Sequence, residues 1–142
     1  MVRFLFGLLI IGVLARPAAA AGAALPGPYA ADVVRVLDGD SFEARIRIWL
    51  DQDVTVTVRL AGVDAAERDA PCAGAQIMAR LATAALTARL SGGVTLSDVE
   101  RDKYGGRVVA RVRDAGGADV SDALAAAGLV RPYAGRRPVW CP

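Results

Sequence analysis

The sequence predicts a β-rich α+β domain, a small five-stranded barrel with two helices, behind an amino-terminal export signal. Three observations predict it: a short apolar run at the start, period-two alternation through residues 42–60, and a change to helical spacing over residues 75–90. The chain has 142 residues, 54% of them hydrophobic, with 17 basic and 15 acidic side chains. That is enough for one core and too little for two, and the mixture excludes wholesale disorder and low-complexity polymers.

Met1-Val2-Arg3 supplies a positive charge, residues 4–15 are apolar, and small residues follow from Ala18 to Ala24. This order is that of a secretory signal peptide over residues 1–24, cleaved between Ala20 and Ala24; the apolar run is too short to span a bilayer. Arg16 and Pro17 interrupt the approach to the cleavage site, which keeps an uncleaved anchor as the alternative. Export implies a secreted or periplasmic protein, free of the membrane after cleavage, with a monomer as the default state. Losing Arg3 and Arg16 leaves 15 basic against 15 acidic residues, so composition gives no overall basic footprint.

Pro26, Gly27 and Pro28 mark residues 25–31 as a flexible lead-in, and the domain proper occupies residues 32–142. A strand over 33–37 is broken by the turn Asp38-Gly39-Asp40-Ser41. Phe42, Ala44, Ile46, Ile48 and Leu50 then face one way, with Glu43, Arg45, Arg47 and Trp49 facing the other. After the turn Asp51-Gln52-Asp53, Val54, Val56, Val58 and Leu60 point inward, completing a three-stranded antiparallel meander. Residues 62–74 lack any period and read as a loop. Over residues 75–90 Ile77, Met78, Leu81, Ala85 and Ala88 share a helical face, opposite Gln76, Arg80, Thr83 and Thr87; Ser91-Gly92-Gly93 ends it. Residues 94–99 and 107–113 read as strands joined by the turn 100–106, and residues 120–127 as a second helix closed by Gly128. An OB-like barrel is one topology open to five such strands.

The sequence has no histidine, which excludes Ser/His/Asp triads, Cys/His dyads and His-ligated zinc. Its two cysteines, Cys72 and Cys141, supply neither a four-thiolate site nor a CxxC motif. In an oxidising compartment they are expected to form a disulfide tying the tail to the middle of the domain; two separate thiols are the alternative. Any metal site must use oxygen ligands.

Acidic and arginine residues stand in a definite order at the predicted strand ends: Asp38-Gly39-Asp40-Ser41, then Arg59-x-x-x-x-Asp64-x-x-Glu67, then Asp102-Lys103-Tyr104-Gly105-Gly106-Arg107. In this order and spacing the set, from about Val33 to Tyr133, resembles the staphylococcal nuclease (thermonuclease) family. The resemblance implies an OB-fold barrel that hydrolyses phosphodiesters in DNA and RNA with Ca2+, on single-stranded or locally opened duplex. It implies that Asp40 and Asp64 hold the metal, with Ala65 lending its backbone carbonyl. Glu67 then activates or positions water, and Arg59 and Arg107 grip the phosphate. Lys103, Tyr104 and Tyr133 lie near the bound nucleotide, Tyr133 stacking or merely packing there. The chemistry agrees: hard cations take carboxylate oxygens, an anionic diester needs an assisted water, and guanidinium forks match phosphate oxygens.

Two departures bear on the site. The family commonly has Tyr-Gly-Arg where this chain has Tyr104-Gly105-Gly106-Arg107, so either the extra glycine bulges the turn and still delivers Arg107, or Gly106 occupies the arginine position. Ala66 stands in place of the usual proline before Glu67. The chain ends before the family's long basic helix, which implies weaker, more salt-sensitive nucleic-acid binding. Asp38, Arg35, Arg45 and Arg47 are read as solvated or paired surface charges, and Trp140 as packing beside the disulfide. The alternative function is a catalytically inactive OB-fold module that binds nucleic acid or protein, although such modules typically lose the carboxylates kept here.

Overall fold

The computed structural model describes residues 24–142. The expected export signal falls, except for Ala24, outside the described residues. The elements in chain order are β1 (Tyr29–Val36), β2 (Ser41–Trp49), β3 (Gln52–Leu60), β4 (Val63–Asp64), α1 (Ala73–Leu90), β5 (Val94–Arg101), β6 (Arg107–Arg113), α2 (Val120–Ala126) and β7 (Arg131–Pro132). Five strands close into a barrel in the order β1-β2-β3-β6-β5, and β4 pairs with β7 in a separate two-stranded sheet. This is the five-stranded, two-helix OB-fold arrangement that the sequence predicts.

The alternation in β2 and β3 turns Phe42, Ala44, Val58 and Leu60 into the barrel, where Leu96 of β5 and Ala110 and Val112 of β6 meet them. Alanines beside a phenylalanine suit a narrow interior, since a small barrel has room for few large side chains. The β2–β3 hairpin keeps a continuous antiparallel register from Ser41↔Arg59 to Arg47↔Asp53, and β1 closes on β5 through Tyr29↔Leu96 and Ala31↔Val94. By contrast β3 and β6 run parallel, pairing Thr57 with Arg107 and Leu60 with Ala110. A parallel pair needs a long crossover. Here α1 and β5 supply it.

Several expectations change. The lead-in is part of the fold: the Leu25 amide donates to the Val99 carbonyl, and β1 begins at Tyr29 because β5 offers a free edge there. Ile48 and Leu50, placed inward by alternation, are 57% and 80% exposed, because the hairpin runs past the end of the core before turning at Asp51. The face of α1 is also rotated. Ala75, Ala79, Ala82, Leu86 and Leu90 are buried, whereas Ile77 and Leu81 are about half exposed. Ala82, Leu86 and Leu90 pack into the barrel core, while Ala75 and Ala79 pack beside Trp140 and the disulfide, so small residues occupy the first half of the buried face and leucines the second. The stretch read as loop contains β4, a strand too short to show a period.

Gly39, in the β1–β2 turn, shows how closely α1 approaches the barrel. A Cβ at this position would lie 2.6 Å from the Ala82 Cβ of α1 and 2.8 Å from the Ala65 Cβ. Gly39→Ala is therefore expected to destabilise the domain by about 1–3 kcal/mol, the usual cost of overpacking. Urea unfolding of the variant beside wild type measures it, and coincident midpoints would refute the tight contact.

Candidate active site

The β1–β2 turn, the segment from β3 through β4, and the β5–β6 turn converge on one cleft of about 550 Å³. Every residue that the sequence singled out for metal, catalysis or substrate lines it: Asp40, Arg59, Asp64, Ala65, Glu67, Lys103, Tyr104, Arg107 and Tyr133. Asp40 is delivered by a turn that Asp38 organises. The Asp38 Oδ1 accepts from the Asp40 amide at 3.0 Å and from the Ser41 hydroxyl at 2.6 Å, so Asp38 is no free surface charge. The Leu60 amide donates to the Asp40 carbonyl at 2.9 Å, which fixes the turn against the end of β3. Asp64 is carried by β4, whose pairing with Arg131 of β7 holds it at the cleft wall. Of the other arginines read as surface charges, Arg35 pairs with Glu43, Arg45 with Asp32 and Arg47 with Asp53.

Asp40 and Asp64 are both buried, and Arg59 stands between them. Its Nη1 lies 3.3 Å from Asp40 Oδ2, and its Nη2 donates to Asp64 Oδ1 at 3.0 Å. The Ala65 amide donates to Asp40 Oδ2 at 2.9 Å. Burial pushes the Asp40 carboxyl up to about 7, against the opposing pull of Arg59 and the Ala65 amide, because desolvation disfavours a charged carboxylate. Arg59 itself is held above the usual guanidinium range: burial works to lower it, and the charges of Asp40 and Asp64 outweigh that.

On the opposite wall Arg107 Nε donates to Asp102 Oδ2 at 2.6 Å, and its guanidinium lies over the Tyr104 ring, 5.2 Å from the centroid. Burial works to raise the Asp102 carboxyl, but the bonds from Arg107 and the Tyr104 amide hold it below the ordinary range. Arg107 opens β6 with its side chain lining the cleft. Gly106 before it adopts φ +79° in open space, a backbone that glycine takes without strain. Tyr133 joins the two walls: Lys103 Nζ donates to its hydroxyl at 3.4 Å, and Arg59 lies 5.3 Å from its ring centroid.

Sequence reasoning missed Arg137. From the carboxy-terminal tail its Nε donates to Asp64 Oδ1 at 3.3 Å, and its Nη2 donates to Glu67 Oε1. Trp140 packs against Ala66, Ala70, Ala75 and Ala79 as expected, and its indole N–H also reaches Asp64 Oδ2 at 3.2 Å. Cys72 and Cys141 are disulfide-bonded, which fastens this tail beside the loop bearing Glu67. The expected Cys72–Cys141 pairing was itself the signal that could have found these contacts, since it brings residues 137–140 to residues 64–72.

The charges lining the cleft fall into two groups. Asp40, Asp64 and Glu67 pair with Arg59 and Arg137, with Asp38 beside them in the Asp40 turn, whereas Arg107 pairs with Asp102 in the segment that also carries Arg101 and Lys103. The donors on the acidic wall are oxygens alone, and their excess negative charge fits a hard divalent cation in kind. They form no closed cage: among the described residues no group of three or more Asp, Glu, Cys or His side chains is gathered to hold a metal. A cation here would rest on Asp40 and Asp64, with backbone oxygen and water completing its shell.

A closed five-stranded barrel with two helices and a charged cleft defines an OB-fold domain. The family model described as staphylococcal nuclease homologue matches residues 57–139, more than half of the chain, and the chain belongs to that family. The match includes Arg59, Asp64, Glu67, Arg107, Tyr133 and Arg137, while Asp40 lies before it. No curated protein matches the chain. Among the described residues no helix is long and apolar enough to cross a membrane.

Proposed function

We propose that the domain is an exported, calcium-dependent nuclease that hydrolyses phosphodiester bonds in DNA and RNA as a monomer. The division of the cleft into an acidic and a basic wall carries this reading. A phosphodiester bridging the two walls places its anionic oxygens toward Arg107 and Arg59 and its reacting face toward Glu67. Calcium, when bound by Asp40, Asp64 and the Ala65 carbonyl, supplies Lewis-acid stabilisation of charge on the phosphate. Glu67 takes the proton of the attacking water, and its partly exposed position suits a carboxylate that must exchange protons with solvent. Arg107, oriented through Nε by Asp102, presents its terminal amino groups to the phosphate as a fork. Lys103, Tyr104 and Tyr133 hold the adjoining nucleotide. A cleft of this size at the barrel end favours single-stranded or locally opened duplex over an intact helix.

Cleavage of single-stranded DNA, duplex DNA and RNA by the purified, disulfide-bonded protein tests the proposal. Cleavage is expected with calcium, loss of it with a chelator, and recovery when calcium is returned in excess. A folded protein that cleaves neither DNA nor RNA under any of these conditions would move the assignment to a binding module of the same fold.

A further inference from the structure

The tail that bears Arg137 is pinned at both ends. Upstream, Arg131 pairs with Asp64 across the β4–β7 sheet; downstream, Cys141 is bonded to Cys72, and Arg131 stacks on Trp140 with its guanidinium carbon 4.4 Å from the ring centroid. Arg137 reaches from this strap to Asp64 through Nε and to Glu67 through Nη2. Asp64 has Arg59 and Trp140 as further partners, whereas Arg137 is the partner recorded for Glu67 among the described residues. Arg137 is also one of the two guanidiniums that offset the acidic wall.

We propose that Arg137 is a positioning residue of the nuclease site: it holds Glu67 toward the cleft, and its charge lowers the affinity of the acidic wall for a divalent cation. The assignment rests on the nuclease reading above. Its two consequences have opposite signs. A guanidinium that only stabilised the fold would, when lost, weaken cation binding and turnover together; one that competes with the cation while orienting Glu67 strengthens the first and weakens the second.

Arg137→Gln separates these cases. Titration calorimetry with calcium alone is expected to show binding about tenfold tighter than wild type, the effect of one unit charge on a doubly charged ion at about 6 Å in a water-like dielectric. Steady-state cleavage of single-stranded DNA is expected to show kcat about tenfold lower or more, with KM changed far less, because Glu67 loses its orientation. Arg137→Lys keeps the charge without the planar fork, so calcium affinity stays near wild type while kcat stays low. Calcium binding in Arg137→Gln that is unchanged or weaker overturns the assignment, as does full recovery of kcat in Arg137→Lys. Wild-type protein that neither binds calcium nor cleaves overturns the nuclease reading and this assignment with it. Active wild type with indistinguishable variants overturns the assignment alone.

Discussion

Glu67→Gln is expected to lower the cleavage rate by about 10²–10⁴-fold, the usual contribution of a positioned general base, while calcium binding and folding persist. Glutamine keeps the size of the side chain and an oxygen that can accept from Arg137, so the change removes proton acceptance and charge with little else. Glu67 is partly exposed and its recorded partner is a tail arginine. Ion pairs in such settings contribute at most about 1 kcal/mol, so the unfolding midpoint should scarcely move. The measurement is single-turnover cleavage at saturating calcium, with urea unfolding in parallel. A folded Glu67→Gln protein that cleaves at the wild-type rate would remove Glu67 from the water-activating role and direct attention to the buried aspartates.

Replacing both cysteines by serine is expected to destabilise the domain by about 4 kcal/mol, the chain-entropy estimate for a bridge spanning 69 positions. The effect is large against the roughly 5–15 kcal/mol by which domains of this size are stable. Two local contributions accompany it with opposite signs. Cys141 anchors the indole that packs on Ala75 and Ala79, and its loss adds to the cost; Cys72 is the N-cap of α1 and makes no side-chain cap bond, so serine there caps the helix better and offsets part of it. Urea unfolding of Cys72→Ser/Cys141→Ser beside wild type, both without reductant, gives the value. Equal midpoints would show that the tail is held by its other contacts alone.

The hairpin and the barrel were legible because β2 and β3 alternate strictly and turn residues stand between the predicted strands. The orientation of α1 was not legible, because the first half of its buried face is built from Ala75, Ala79 and Ala82, ahead of Leu86 and Leu90, while Ile77 and Leu81 look outward. Hydropathy weights side-chain size, and where α1 comes closest, at Gly39 and Ala82, only a small residue fits. β4 and β7 have two residues each and leave no periodic trace. In the site, Asp40, Arg59, Asp64 and Glu67 were visible because they lie at strand ends with definite spacing. Arg137 and the indole of Trp140 were not, because they reach the cleft through a bridge between residues far apart in the chain. The role of Asp38 was hidden for a different reason: an aspartate that caps a turn looks in sequence like any charged loop residue.

The parallel pairing of β3 with β6 has a kinetic consequence. Thr57 and Arg107 are separated in the chain by β4, α1 and β5, so their pairing carries a large loop-closure cost. The β2–β3 hairpin has all its partners close in sequence, yet of the charged cleft residues it carries only Arg59. Small barrels dominated by such distant contacts fold in about milliseconds to seconds rather than microseconds. Arg59 and Arg107 sit on β3 and β6, so the pair proposed to face the phosphate is brought together by a pairing of strands distant in the chain, and a chain that lacks it holds the two arginines apart.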